Sequence, residues 1–259
     1  MLTIDLNCDL GEGFGIYEMP EDRYLLEEAS SVNIACGFHA GDPSLMRKTV
    51  RMCMERGTAI GAHPGLPDRY GFGRREMAIS PQDAYDLVLY QIGALDAFVR
   101  SEGGVLHHVK PHGALYNMAA KNRALADAIA QAVYRYHPGL VLYGLAGSEL
   151  VKAAQSIGLA CAGEAFADRT YRADGTLTPR SMPNAVLESV EDAVGQSLQI
   201  VKEGRVRTAD GTLLVIRADT LCVHGDGSQA LALLRRLRSV LQQEGFKVAP
   251  VPPGGGYGQ

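Results

Sequence analysis

Four of the seven histidines stand where an apolar run breaks into a glycine- or proline-bearing turn. His39 lies in Cys36-Gly-Phe-His-Ala-Gly-Asp42 and His63 in Ala62-His-Pro-Gly65. His112 lies in Lys110-Pro-His-Gly113 and His224 in Cys222-Val-His-Gly-Asp226. A strand that ends this way delivers its last side chain to the rim of a sheet or barrel. Four strands that each bring an imidazole to one rim would assemble a site from distant sequence. Such imidazoles can carry protons, donate hydrogen bonds or bind a metal.

Alternation along a strand sorts the other polar residues. Asp5, Asn7 and Asp9 share one face of the opening run and Ile4, Leu6 and Cys8 the other. Buried polar groups must find partners, so three on one face read as a ladder of carboxylates leading to a site. A strand end with solvated carboxylates is the alternative, and for Glu12, within Gly11-Glu-Gly13, both readings stay open. The same parity groups Asn33 with His39, His108 with Lys110 and His112, and Thr220 with Cys222, His224 and Asp226. Asp5 or Asp9 is a candidate general base. His39 or His112 is a candidate acid or oxyanion donor. Lys110 is expected to neutralise an anion or to pair with Asp5 or Asp9.

His63, His224 and Asp9 are the candidate ligands for a divalent metal, but no H-x-x-x-H or H-E-x-x-H fixes two ligands locally, and a metal-free site remains the alternative. Asn7, Glu12, Asn33, Arg74, Arg169 and Asp226 are candidate substrate or phosphate contacts. Arg74 sits in the glycine-rich Asp68-Arg-Tyr-Gly-Phe-Gly-Arg-Arg75, where guanidinium groups can clamp a carboxylate or phosphate, or simply form surface ion pairs. His107 and His137 read as structural. No P-loop, no G-x-G-x-x-G ahead of a helix and no G-x-S-x-G elbow occurs.

These side chains need a scaffold. Strand-like runs at 2–8, 32–36, 59–62, 105–109, 140–145, 159–162, 213–216, 221–224 and 248–251 alternate with helical periods at 44–56, 84–101, 122–136, 147–157, 184–203 and 228–244. Repeated β-then-α units predict a parallel sheet with helices outside it. Seven or eight of them in 259 residues predict a (β/α) barrel, with a doubly wound open sheet as the alternative. Asp210-Gly211 centres a hairpin over 206–216, and Asp174-Gly175 a loop or hairpin over 168–184. One barrel-like domain over 1–251 and a disordered glycine-rich tail over 252–259 are expected.

Composition excludes other classes. A net charge of −4 without a basic block argues against nucleic acid, and no apolar stretch approaches a membrane span. Five cysteines without C-x-x-C spacing, and no signal peptide, fit the cytoplasm. The sequence leaves homo-oligomerisation open.

The motifs Asp5-Leu-Asn-Cys-Asp-Leu-Gly-Glu-Gly-Phe-Gly15, Asn33-Ile-Ala-Cys-Gly-Phe-His-Ala-Gly-Asp42, Gly61-Ala-His-Pro-Gly65, Gly71-Phe-Gly-Arg-Arg75, His108-Val-Lys-Pro-His-Gly-Ala-Leu-Tyr116, Glu164-Ala-Phe-Ala-Asp-Arg169 and Ala218-Asp-Thr-Leu-Cys-Val-His-Gly-Asp226 resemble the LamB/YcsF family, in order and over nearly the whole chain. The resemblance implies a distorted seven-stranded α/β barrel of the glycoside hydrolase/deacetylase type. It implies a part in ATP-dependent opening of 5-oxo-L-proline to L-glutamate, with ATP as co-substrate and 5-oxoprolinase subunits B and C as partners. It supplies no settled catalytic set. A metal-dependent amidase or deacetylase acting without ATP, and a non-catalytic substrate-binding subunit, are the competing readings.

Overall fold

In a computed structural model, residues 2–225, 227 and 229–254 are described. The expected contact Asp226 and tail residues 255–259 lie outside them. Ten strands run β1 Thr3–Leu10, β2 Ser31–Ala35, β3 Ala59–His63, β4 Leu106–Val109, β5 Val141–Leu145, β6 Cys161–Phe166, β7 Arg205–Arg207, β8 Leu213–Val215, β9 Thr220–Val223 and β10 Lys247–Val248. Eight α-helices run α1 Asp22–Glu28, α2 Pro43–Arg56, α3 Pro81–Ser101, α4 Gly113–Lys121, α5 Arg123–Tyr136, α6 Glu149–Ser156, α7 Val190–Glu203 and α8 Ala230–Gln243.

Strands β1, β2, β3, β4, β5, β6 and β9 pair in parallel in that order, and β9 returns to β1, closing a seven-stranded barrel. Closure excludes the open doubly wound sheet. The last strand is shorter than the expected 248–251; β10 lies outside the closure and pairs with β1 only at Thr3 and Ile4. The 206–216 hairpin forms as β7 and β8. In the 168–184 loop, isolated bridges join Tyr171 to Leu177 and Arg169 to Val186.

Local chemistry sets the helix ends. Asp42 caps α2 by accepting from the Ser44 and Leu45 amides, and Ser80 and Asp83 close a capping box on α3. The apolar stripe of α8 (Ala230, Leu233, Leu234, Leu237, Val240, Leu241) packs inward at helical spacing. Helices α1 and α4 are not foreshadowed by the sequence pattern. Neither carries a side-chain N-cap bond, and α4 opens on a glycine, so the usual start signals are missing.

The barrel interior is polar, and small residues make room for it. A Cβ on Gly61 would lie 2.1 Å from His108 Nε2. Gly61→Ala is therefore expected to destabilise by about 1–3 kcal/mol or more, through overpacking against an immobile ring. Chemical denaturation of the variant checks this.

Candidate active site

Polar side chains fill the barrel in tiers. Deepest is Asp5, whose carboxylate accepts from the hydroxyls of Ser30, Ser31, Tyr143 and Thr220 at 2.6–3.0 Å. Burial raises its pKa even against those four donors. Asp5 lines no part of the cavity at the mouth. The ladder face forms as expected, but its first rung is buried below the site, and the general-base role expected of Asp5 has no path to substrate. Asp5→Ala is expected to cost about 1–3 kcal/mol from unsatisfied hydroxyls while substrate KM is unchanged. Denaturation and steady-state kinetics together check that.

The next tier holds Asn7, Asn33, His108 and Glu164. Asn7 Nδ2 donates to Glu164 Oε1 (2.9 Å) and Thr220 Oγ1 (2.7 Å). Asn33 Nδ2 donates to Asn7 Oδ1 (2.8 Å) and Asp9 Oδ1 (2.9 Å), and Asn33 Oδ1 lies 2.8 Å from His108 Nε2. Neither asparagine lines the cavity, so the substrate-contact expectation for Asn7 and Asn33 is replaced by a positioning role. Above them Lys110 Nζ reaches Asp9 Oδ1 at 3.1 Å, Glu164 Oε1 at 2.9 Å and Cys222 Sγ at 3.0 Å. Burial works against its charge, but Asp9, Cys222 and Glu164 outweigh this and raise its pKa well above the ordinary value. Burial likewise pushes the Asp9 carboxyl up, yet His63 and Lys110 beside it hold it well below. Lys110 thus pairs with Asp9, not with Asp5.

At the mouth, His39, His63 and His112 converge. The His39 and His112 rings stack at 3.7 Å and 2°, and His63 stands at 87° to both. The packing depends on Gly73, at φ +63°, where a Cβ would come within 2.7 Å of His39 Cβ and 2.9 Å of His112 Cδ2. Glu12 Oε1 lies 3.0 Å from His39 Nε2 and 3.4 Å from His112 Nδ1. Burial lowers the pKa of His39 and His112 well below the usual imidazole value. Of these residues, His63 and His112 line the cavity and His39 and Glu12 do not.

His224 lies elsewhere on the rim. Its Nδ1 is 3.0 Å from both carboxylate oxygens of Asp168, and its ring stacks on Phe166 at 5.1 Å. Among the described residues, the four groups gathered closely enough to share one cation are Glu12, His39, His63 and His112. The expected ligand set of His63, His224 and Asp9 is corrected accordingly: His224 belongs to Asp168, and Asp9 Oδ2 stands 3.5 Å from His63 Nε2 as a neighbour of the cluster.

The cavity has a volume of about 350 Å³. Asp9, His63, Lys110, His112 and His224 meet on it, and Arg74, Lys121, Arg169 and Arg180 add cationic groups. Arg169 is buried and donates through Nε to the Ala185 carbonyl and through a second nitrogen to the Thr178 carbonyl. Burial, then Arg180, lowers its pKa to about 10, so it stays charged at neutral pH. Sequence reasoning missed Glu164 and Asp168. The two share parity along and beyond β6, so the parity test could have grouped them.

The sequence profile of the LamB/YcsF family matches residues 4–254. The chain belongs to the LamB/YcsF family. This LamB/YcsF chain is 59% identical over 249 residues to a Brevibacillus brevis protein named as the A subunit of 5-oxoprolinase, covering 96% of this chain and 98% of that one. It superposes on the lactam utilization protein from Thermus thermophilus with a TM-score of 0.89 at 47% identity, covering 96% and 99%. The peptidoglycan N-acetylglucosamine deacetylase catalytic domain from Eubacterium rectale shares the barrel, with a TM-score of 0.51 at 11% identity over 99% of this chain and 92% of that one. Among the described residues no helix is long and apolar enough to cross a membrane.

Proposed function

We propose that this chain is the lactam-opening component of an ATP-dependent 5-oxoprolinase, converting 5-oxo-L-proline to L-glutamate with subunits B and C in the cytoplasm. The names borne by its relatives point to the substrate class. The observation that carries the reading is one cavity in which an Asp–His dyad and a buried ammonium meet a wall of guanidinium groups.

The chemistry follows from those groups. The substrate is a small five-membered lactam bearing a carboxylate. Arg74, Arg169 and Arg180 can hold the carboxylate or a phosphoryl group. An unactivated lactam is a poor electrophile, and phosphorylation of its oxygen by ATP makes the ring carbon attackable. Asp168 accepts from His224 Nδ1–H, which leaves Nε2 with the lone pair that can take a proton from water. Water adds to the ring carbon, the carbon–nitrogen bond breaks, and His224 returns the proton to the leaving nitrogen. A second water then releases phosphate from the acyl phosphate. Lys110 favours negative charge at the reacting carbon's oxygen. Asp9, held ionised by Lys110, is a weak base and fixes Lys110 in place.

Reconstitution tests the proposal. This chain with subunits B and C, 5-oxo-L-proline and ATP should release glutamate, and omission of this chain should abolish it. Glutamate formed without ATP would support the amidase reading. Undiminished turnover without the chain would refute a catalytic part.

A further inference from the structure

We propose that Glu12, His39, His63 and His112 bind one divalent transition-metal ion at the cavity end of the barrel. The inference does not depend on the identity of the substrate.

Ring tautomers carry the argument. His63 Nδ1 lies 2.7 Å from the Lys110 carbonyl oxygen, and His112 Nε2 lies 2.8 Å from the Phe72 carbonyl oxygen. A carbonyl only accepts, so each of these ring nitrogens carries the proton. The other nitrogens, His63 Nε2 and His112 Nδ1, then both present lone pairs, and they face each other at 2.9 Å. Two lone pairs at that separation repel unless a cation lies between or beside them. Backbone carbonyls that fix the tautomer of an imidazole are also the usual outer support of a metal-binding histidine.

The spacing fits the same occupant. The donor atoms of all four residues lie within 4.8 Å of one another. His63 Nε2 to His112 Nδ1, His39 Nε2 to Glu12 Oε1, His112 Nδ1 to Glu12 Oε1 and His63 Nε2 to Glu12 Oε1 measure 2.9, 3.0, 3.4 and 3.9 Å. Ligands at about 2.0–2.1 Å from a tetrahedral ion are about 3.4 Å apart, in the middle of that range. His39 Nδ1 is buried without a hydrogen-bond partner, so stacking on His112 and whatever Nε2 meets must hold this ring. Glu12 brings a buried carboxylate oxygen in among the imidazoles, a hard donor beside three borderline ones. Three imidazoles and one carboxylate suit ions of the zinc, cobalt or iron type over magnesium or calcium. Because His63 and His112 line the cavity, the ion could polarise an oxygen that enters from there.

The test reads binding alone. Metal-stripped full-length protein is titrated with Zn²⁺ by calorimetry and with Co²⁺ by visible absorption. Tight binding of one equivalent is expected, with Co²⁺ bands of tetrahedral intensity. His63→Ala and His112→Ala should each weaken binding by at least about 10–100-fold, while His224→Ala binds as the wild type does. Circular dichroism checks folding, and Glu12→Gln serves where an alanine variant unfolds. Absence of stoichiometric binding, which would leave a shared proton as the occupant, overturns the proposal. So does equal affinity in wild type and His63→Ala, or loss of binding in His224→Ala.

Discussion

Lys110→Met abolishes turnover and lowers stability by about 3–5 kcal/mol, because it strands buried carboxylates that share one ammonium. Lys110 Nζ is the common partner of Asp9 and Glu164, and Asn7 Oδ1 accepts from it at 3.1 Å. Methionine keeps much of the volume, so the loss reflects charge more than a cavity. The sign of the pH dependence follows. In the wild type, Asp9 is held below its ordinary pKa. Its stabilising contribution is present above the unfolded pKa and is lost as pH falls through the folded one. Without the ammonium, Asp9 loses a charge that holds its carboxyl down, and burial raises it. The folded variant then binds more protons than the folded wild type, so the stability penalty grows as pH rises. Denaturation midpoints should show a smaller penalty near about pH 5 than near about pH 8.

His224→Ala in the reconstituted complex lowers kcat by about 10²–10⁴-fold with KM little changed, the usual scale for loss of a general acid–base group. Asp168→Asn lowers it less steeply, because the asparagine keeps the shape but can favour the wrong ring tautomer. Added imidazole should restore part of the rate to His224→Ala and none to Asp168→Asn, in which the ring still fills its place. Steady-state kinetics with and without imidazole separates this role from a structural one, since a merely loosened rim would gain nothing from imidazole.

Much of the scaffold is legible in the sequence because strand alternation and helix capping are local. The Asp5, Asn7, Asp9 face, the Ser80 capping box and the 206–216 hairpin all follow from spacing. The sixth barrel strand reads as 159–162 because its apolar run stops there. Glu164 nevertheless continues the strand, and Lys110, just past the end of β4, makes its burial tolerable. The candidate site is harder to read for the same reason. Parity says which residues face inward, but not how deep they sit or what they meet. Asp5 ends beneath the site, and Glu12 ends among imidazoles delivered by β3 and by the turns after β2 and β4. The pairing of His224 with Asp168 spans 56 residues, and no local signal encodes it.

The most direct test of the account is a structure of this chain, in its complex, with 5-oxo-L-proline bound. The ring should lie in the cavity lined by Asp9, His112 and His224, with its carboxylate toward Arg74, Arg169 or Arg180. A lactam lodged on one of the partner proteins, with this cavity empty at saturating substrate, would contradict it.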